Sequence, residues 1–239
     1  MCGIAGYVGD RESADVLVDA LSKLEYRGYD SAGIAVFDHG NIKVKKCKGR
    51  LANLVEKMDE EGKPQGHVGI GHTRWATHGE PSDINSHPHG NKRVTIVHNG
   101  IIENYKKLKD FLVGEGYSFA SETDTEVAAK LLDYYYDGDP MKTIAKVLSE
   151  IKGSYALGIM FRDFPDEIFA VRKDSPLIVG VGEHENFIAS DVPAIIHYTR
   201  DYYLLDQNEI AVIKKDSVKI YDVHGNETVS YTHLRAHET

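Results

Sequence analysis

The second residue of the chain is a cysteine whose position could serve nucleophilic chemistry. Removal of Met1, which a small second residue permits, would leave Cys2 carrying both a thiol and a free α-amine. The α-amine ordinarily has a pKa of about 7.7–8.0 and the thiol one of about 8.5, so one residue could hold nucleophile and base. Gly3 and Gly6 border a strand-like apolar run that would fix this terminus in a sheet. The alternative is that Cys2 has no function.

Arg74 and Trp75 offer a second chemistry, the recognition of a carboxylate. They lie in the segment Gly71–Pro81, where a predicted strand gives way to a long polar loop. A guanidinium is a planar fork that suits a carboxylate, and the indole could cover a bound molecule. An equally open interpretation is a solvated arginine beside a half-buried tryptophan.

Asn99 and Gly100 follow a predicted strand. Asn-Gly at a strand end is typical of a tight turn, which is the favoured interpretation of these two residues alone. The functional interpretation is that the Asn99 amide and the Gly100 N–H converge on a developing oxyanion. Losing one such donor typically costs about 3 kcal/mol of transition-state stabilisation.

Asp124 precedes a helical pattern, beside Thr123 and Glu126. Those two neighbours have the spacing of a capping box, and an acidic residue suits a helix amino terminus, so a purely structural role would explain Asp124. The same carboxylate could instead hold a substrate ammonium group.

Histidines suggest a metal alternative, which the spacing does not favour. Besides His87 and His89, three others lie near the polar loop: His72, His78 and His98. None of them forms a helical i, i+4 pair with an acid between, so we expect no metal. Dinucleotide glycine loops, Walker A and CxxC motifs are also missing from the sequence, and we expect no cofactor.

Short strand-like runs and amphipathic helices must position these residues. Eleven runs are apolar or alternate with polar residues: Ile4–Val8, Ala32–Phe37, Ile42–Val44, Val68–Thr73, Val94–His98, Tyr155–Phe161, Ile168–Val171, Leu177–Val181, Phe187–Ser190, Ile210–Ile213 and Val218–Val223. Helical stripes begin at Val16, Leu108, Val127 and Ile144, while Met58–Gly66 and Thr77–Lys92 are the longest polar connections. The clustered helices predict an α+β fold with stacked sheets.

Composition excludes several functional classes. The 239 residues carry a formal charge of −9, which argues against a nucleic-acid partner because a phosphate backbone needs a basic face. No apolar run approaches the roughly 20 residues of a membrane span, so we expect no membrane partner. The start lacks a secretory pattern, and two cysteines, Cys2 and Cys47, fit a reducing cytoplasm. A cytoplasmic enzyme is the leading class.

Taken together, these segments closely resemble the class II glutamine amidotransferase domain, an amino-terminal-nucleophile hydrolase. Within that class, Tyr26–Gly33, His72–Gly79 and Ser121–Glu126 are similar to the glucosamine-6-phosphate synthase family. The resemblance runs from Cys2 to about Val223. It implies an α+β fold, a four-layer αββα sandwich.

The resemblance implies catalytic roles for three residues. Cys2 would attack the side-chain amide of L-glutamine, with its own α-amine as base, through a water. Asn99 and the Gly100 N–H would form the oxyanion hole. Water would then hydrolyse the glutamyl thioester, giving glutamate and ammonia.

The resemblance also implies a substrate-binding set. Arg74 would take the α-carboxylate of glutamine and Asp124 its α-ammonium. Thr77 and His78 would line the pocket, and Trp75 would lie on a loop that closes over glutamine.

The domain organisation follows from the same resemblance. We expect a glutaminase domain over residues 2–223 and a tail over 224–239 that need not be native, without the family's sugar-isomerase domains. The chain would then be a glutaminase half that supplies ammonia for glucosamine 6-phosphate in the full-length enzyme. The alternatives are the glutaminase domain of another class II amidotransferase and a silent glutamine-sensing module.

Overall fold

The computed structural model describes residues 2–75, 79–91 and 93–231. In chain order, the strands of these residues are β1 (Gly3–Val8), β2 (Ser31–Asp38), β3 (Asn41–Lys48), β4 (Val68–Arg74), β5 (His89–Gly90), β6 (Val94–Ile102), β7 (Gly153–Phe161), β8 (Ile168–Lys173), β9 (Ile178–Val181), β10 (Asn186–Ala189), β11 (Tyr202–Leu204), β12 (Ile210–Lys214), β13 (Ser217–Tyr221) and β14 (Glu227–Tyr231). The helices are α1 (Ser13–Ser22), α2 (Leu51–Glu61), α3 (Tyr105–Gly114), α4 (Asp124–Tyr135) and α5 (Pro140–Glu150). Within these residues, no helix has both the length and the hydropathy to cross a bilayer.

The strands form two seven-stranded sheets whose neighbours pair antiparallel. The first sheet has the order β11-β9-β10-β1-β4-β2-β3, and the second β14-β13-β12-β8-β7-β6-β5. β1 lies inside the first sheet, between β10 and β4, and β6 lies inside the second, between β5 and β7. The strand that follows Cys2 and the strand that contains Asn99 and Gly100 are therefore each held on two sides by backbone hydrogen bonds.

Three apolar cores separate four layers. Side chains of alternating residues in β1 enter different cores, as expected for a strand buried on both faces. Ile4 and Val8 pack between the two sheets, whereas Ala5 and Tyr7 pack under α1 and α2. A third core joins the second sheet to α3, α4 and α5. This arrangement confirms the predicted four-layer αββα sandwich.

Helix α2 was not predicted, and its last turn lies in the segment that was predicted as a polar connection. Its buried residues Leu51, Leu54 and Met58 recur at three and four, which is a helical stripe. The surrounding charges of the segment obscured that stripe. The connection predicted from Met58 is therefore helical as far as Glu61.

The last strand lies beyond the predicted end of the domain. β14 pairs with β13, so the second sheet continues past Val223 into the segment that we expected to be a tail. The missed signal is turn chemistry: the Asp222 carboxylate accepts the N–H groups of His224 and Asn226, and Gly225 adopts φ +82°. Residues 232–239 lie outside the described part of the chain.

Candidate active site

One pocket of about 250 Å³ brings most of the predicted site residues together. Its lining includes the following six of the eight: Cys2, Arg74, Trp75, Asn99, Gly100 and Asp124. The other two, Thr77 and His78, lie outside the described residues, as does Met1. Residues from both sheets and from the start of α4 therefore meet at one small-molecule-sized cavity.

Cys2 directly precedes β1, and its thiol lies against the backbone at the end of β4. Gly3 pairs with Thr73, and this register sets Cys2 beside Trp75. The Trp75 N–H donates to Sγ at 3.1 Å, and Sγ lies 3.4 Å from the Trp75 carbonyl oxygen. Burial raises the pKa of the Cys2 thiol, while the Trp75 N–H opposes that rise by stabilising the thiolate. The thiol at neutral pH is therefore protonated and needs a base to become a nucleophile.

Arg27 anchors Cys2 from the segment before β2, and no sequence pattern predicts a role for it. Its Nη1 forms an ion pair with Asp191 at 2.6 Å, and its Nε donates to the Cys2 carbonyl oxygen at 3.3 Å. The next residue, Gly28, lets this segment pack closely against the end of β4, because a Cβ there would lie 2.6 Å from the carbonyl carbon of Arg74. The glycine in Tyr26-Arg27-Gly28 is the one sequence signal that could have pointed to this anchoring contact. No sequence pattern marks Asp191, the ion-pair partner of Arg27, which is 164 residues away.

Asn99 and Gly100 lie inside β6 and do not form a turn, so that interpretation is wrong. They pair with Ala156 and Tyr155, and the ladder continues to Ile102. Gly100 has φ +120°, and a Cβ on it would lie 2.2 Å from the Ser154 carbonyl oxygen, so only glycine fits. The Asn99 Nδ2 donates to the Cys2 carbonyl oxygen at 2.9 Å, which joins the two sheets at the pocket.

Arg74 is buried, with 3% of its surface exposed, which excludes the solvated-arginine alternative. Its Nη2 donates to the Gly79 carbonyl oxygen at 2.9 Å, and Nη1 lies 3.4 Å from that of Glu80. Trp75 is 49% exposed and packs edge-on against Tyr29, with ring centroids 5.6 Å apart. The pocket therefore has a buried cation beside an accessible aromatic side chain.

Asp124 is the first residue of α4, but other residues cap that helix. Thr123 accepts the Glu126 N–H, and the Glu126 carboxylate accepts the N–H groups of Ala120 and Ser121. The Asp124 carboxylate, only 4% exposed, instead accepts the Ile102 N–H at 2.8 Å and lines the pocket. Capping therefore does not account for Asp124.

Four histidines near the pocket, His72, His87, His89 and His98, form a buried, hydrogen-bonded group. The His72 and His87 rings stack at 4.0 Å, His98 Nδ1 lies 2.9 Å from the Thr125 hydroxyl, and His89 Nε2 lies 3.2 Å from that of Thr123. Burial lowers the pKa of His72 to about 3 and that of His87 well below its ordinary value, so both are neutral. Over residues 2–75, 79–91 and 93–231, no group of three or more His, Cys, Asp or Glu could hold a metal ion.

Comparison with known proteins finds a matching family model and relatives that share one name. A family model described as a glutamine amidotransferase domain matches residues 72–197. The chain is 58% identical to the glutamine–fructose-6-phosphate aminotransferase (isomerizing) of Clostridium tetani over 95% of this chain, and 59% identical to that of Caldanaerobacter subterraneus over the same share. It spans 38% of the length of each of these relatives.

The solved structures extend the likeness to the fold. Glutamine phosphoribosylpyrophosphate amidotransferase from B. subtilis, complexed with ADP and GMP, superposes with a TM-score of 0.81 at 27% identity, over 95% of this chain and 50% of that one. These matches agree with the two stacked sheets and with the resemblance found in the sequence. The chain belongs to the class II glutamine amidotransferase family.

Proposed function

We propose that the chain hydrolyses L-glutamine to L-glutamate and ammonia in this pocket. The observation that carries the proposal is the meeting of a partly buried thiol, two candidate oxyanion donors, a buried cation and a buried carboxylate around one cavity. These are the groups that amide hydrolysis by a cysteine nucleophile requires: a nucleophile, donors for the oxyanion and charges that hold the substrate.

Glutamine would be recognised at both ends of its amino-acid group. The Arg74 guanidinium takes the α-carboxylate and the Asp124 carboxylate takes the α-ammonium. Both protein charges are buried, so their interactions with substrate are weakly screened by solvent. We assign pocket-lining roles to Trp75, Thr77 and His78 on the resemblance.

The first chemical step forms a thioester. After removal of Met1, the Cys2 α-amine takes the thiol proton through a water, and Sγ attacks the side-chain amide carbon. Asn99 Nδ2 and the Gly100 N–H stabilise the resulting oxyanion. The protonated amine returns the proton to the amide nitrogen, and the C–N bond breaks to release ammonia.

The second step returns the enzyme to its starting state. The α-amine takes a proton from a water, whose oxygen attacks the thioester carbon through the same oxyanion site. The C–S bond breaks, glutamate leaves, and the proton returns to the Cys2 sulfur. The sum is glutamine plus water giving glutamate plus ammonia.

The printed names of the relatives suggest the larger reaction. We propose that in a full-length protein the ammonia is transferred to fructose 6-phosphate in sugar-isomerase domains, yielding glucosamine 6-phosphate. The shares covered, 95% of this chain but 38% of the relatives, support a division of labour between domains. The two free cysteines support a cytoplasmic location.

The test is glutamate release from glutamine by the purified chain, with intact mass reporting whether Met1 is present. We expect release from the Met1-free form only, and its loss when a thiol reagent labels Cys2. Cys2→Ala should abolish turnover, a loss of more than about 1,000-fold, while glutamine binding persists because it depends on Arg74 and Asp124. Cys47→Ala, which removes the buried cysteine of β3, is the matched control and should keep its activity.

Glutamine binding without turnover in a folded, Met1-free chain would contradict the proposal and favour the sensing module. Turnover by Cys2→Ala would show that another group is the nucleophile.

A further inference from the structure

The Asn99 side chain is held from two directions. Its Nδ2 donates to the Cys2 carbonyl oxygen at 2.9 Å, and its Oδ1 lies 3.0 Å from the Nε2 of His72. His72 belongs to β4 of the first sheet and Asn99 to β6 of the second, so the contact crosses the layer between the sheets.

These contacts determine which nitrogen of His72 carries the proton. A carbonyl oxygen can only accept, so Nδ2 must face Cys2 and Oδ1 must face His72. His72 Nε2 also lies 3.1 Å from the His98 carbonyl oxygen. With two acceptors in front of it, Nε2 is the protonated nitrogen, and it donates to both.

The surroundings keep the His72 ring in place. It is fully buried, and it stacks on His87 at 4.0 Å. Its Nδ1 is buried and has no hydrogen-bond partner among the described residues, as expected for a neutral ring protonated on Nε2. Rotation of the Asn99 amide by 180° would set its oxygen against the Cys2 carbonyl oxygen and its N–H groups against the His72 N–H.

We propose that His72 is a positioning residue that fixes the Asn99 amide, so that the second Nδ2 hydrogen can stabilise the oxyanion during glutamine hydrolysis. The inference rests on the proposed function. His72 does not touch substrate in this scheme, and it acts through Asn99 alone.

The test compares two substitutions of His72 in glutamate-release assays. A glutamine side chain at position 72 would place its amide nitrogen nearly where the histidine Nε2 lies, so His72→Gln should keep kcat within about threefold. His72→Leu should lower kcat roughly 10- to 100-fold with little change in KM. The matched control is His67→Leu, which removes an exposed histidine and should leave kcat and KM unchanged.

A double substitution separates positioning from a general packing role. If His72 acts through Asn99, His72→Leu should change kcat by less than about threefold when Asn99 is already alanine, since contacting residues in one network are not additive. Equal losses in both backgrounds, or equal losses for His72→Gln and His72→Leu, would overturn the proposal. Thermal unfolding of each variant shows whether the fold is retained.

An NMR measurement separates failure of this inference from failure of the proposed function. The Nε2–H of His72 should be observable and protected from exchange in the wild-type chain, and its resonance should shift in Asn99→Ala. If the wild type releases no glutamate, the function fails while this resonance still tests the network. A proton found on Nδ1 would refute the network whatever the activity.

Discussion

The two sides of the pocket are built differently. Cys2, Arg74 and Trp75 come from strand ends of the first sheet, and the buried Arg74 is held by carbonyl oxygens of the following loop. Asn99 and Gly100 lie within a strand of the second sheet, paired with β7. The proposed substrate-binding cation thus depends on a loop, whereas the proposed oxyanion donors depend on a sheet. Because one side is proposed to bind substrate and the other to stabilise the transition state, substitutions on the two sides should change different kinetic constants.

The largest effect that we expect is on kcat, from a substitution in the second sheet. Asn99→Ala should lower kcat about 100- to 1,000-fold and change KM little, because the lost donor acts on the transition state. Steady-state glutamate release measures both constants. A raised KM with normal kcat would instead make Asn99 a binding residue.

Arg74→Lys tests the loop side and should act mainly on KM. A lysine keeps the charge but loses the planar fork, and a charged hydrogen bond contributes about 1.5–3 kcal/mol, so KM should rise roughly 10- to 100-fold. Arg50→Lys, on a side chain that contacts the Tyr29 ring outside the pocket, is the control. A loss confined to kcat would contradict the assignment of Arg74 to the substrate carboxylate.

Acid should destabilise the histidine-rich layer that joins the two sides. The folded-state pKa of His72 is lowered to about 3 from 6.5, so the unfolded chain binds the extra proton first and stability is lost as pH falls from about 6.5 toward 3. At pH 5 this amounts to about 2 kcal/mol for one such histidine. Urea unfolding at pH 7 and pH 5 should show a smaller difference for His72→Gln than for the wild type. Equal differences would mean that His72 is not buried in its neutral form.

The smallest effect concerns the helix that presents Asp124. Thr123→Ala removes the side chain that caps α4 and should lower the free energy of unfolding by about 1 kcal/mol. Thermal unfolding measures this loss, with Ser149→Ala on α5 as a surface control. Because Asp124 is also held by the Ile102 N–H, the KM for glutamine should change by less than about threefold. A larger rise in KM would show that the cap positions the carboxylate.

Sequence patterns predicted the parts of the fold that depend on local periodicity. The stripe beginning at Val16 became α1, with Leu17 and Leu21 fully buried, and the run Ile4–Val8 became the interior strand β1. α2 was missed because charged residues fill most of its second half, where only Met58 is buried. β14 was missed because the turn before it depends on the Asp222 side chain.

The site could be predicted only where a motif was recognised. Cys2, Arg74, Asn99, Gly100 and Asp124 were found in this way, and they do share one pocket. The bonds that orient them join residues far apart in the chain: Asn99 contacts Cys2 across 97 positions. Such pairings follow from the register between sheets, which no local pattern contains.

The anchoring of Cys2 bears on how the enzyme matures. Both side chains that hold this residue, Arg27 and Asn99, donate to its carbonyl oxygen and not to its α-nitrogen. A peptide bond on that nitrogen leaves both contacts possible, so the pocket can assemble before the preceding residue is cleaved. Under the proposed function, folding and release of the α-amine would then be separate events, and removal of the residue before Cys2 would need no refolding of the pocket.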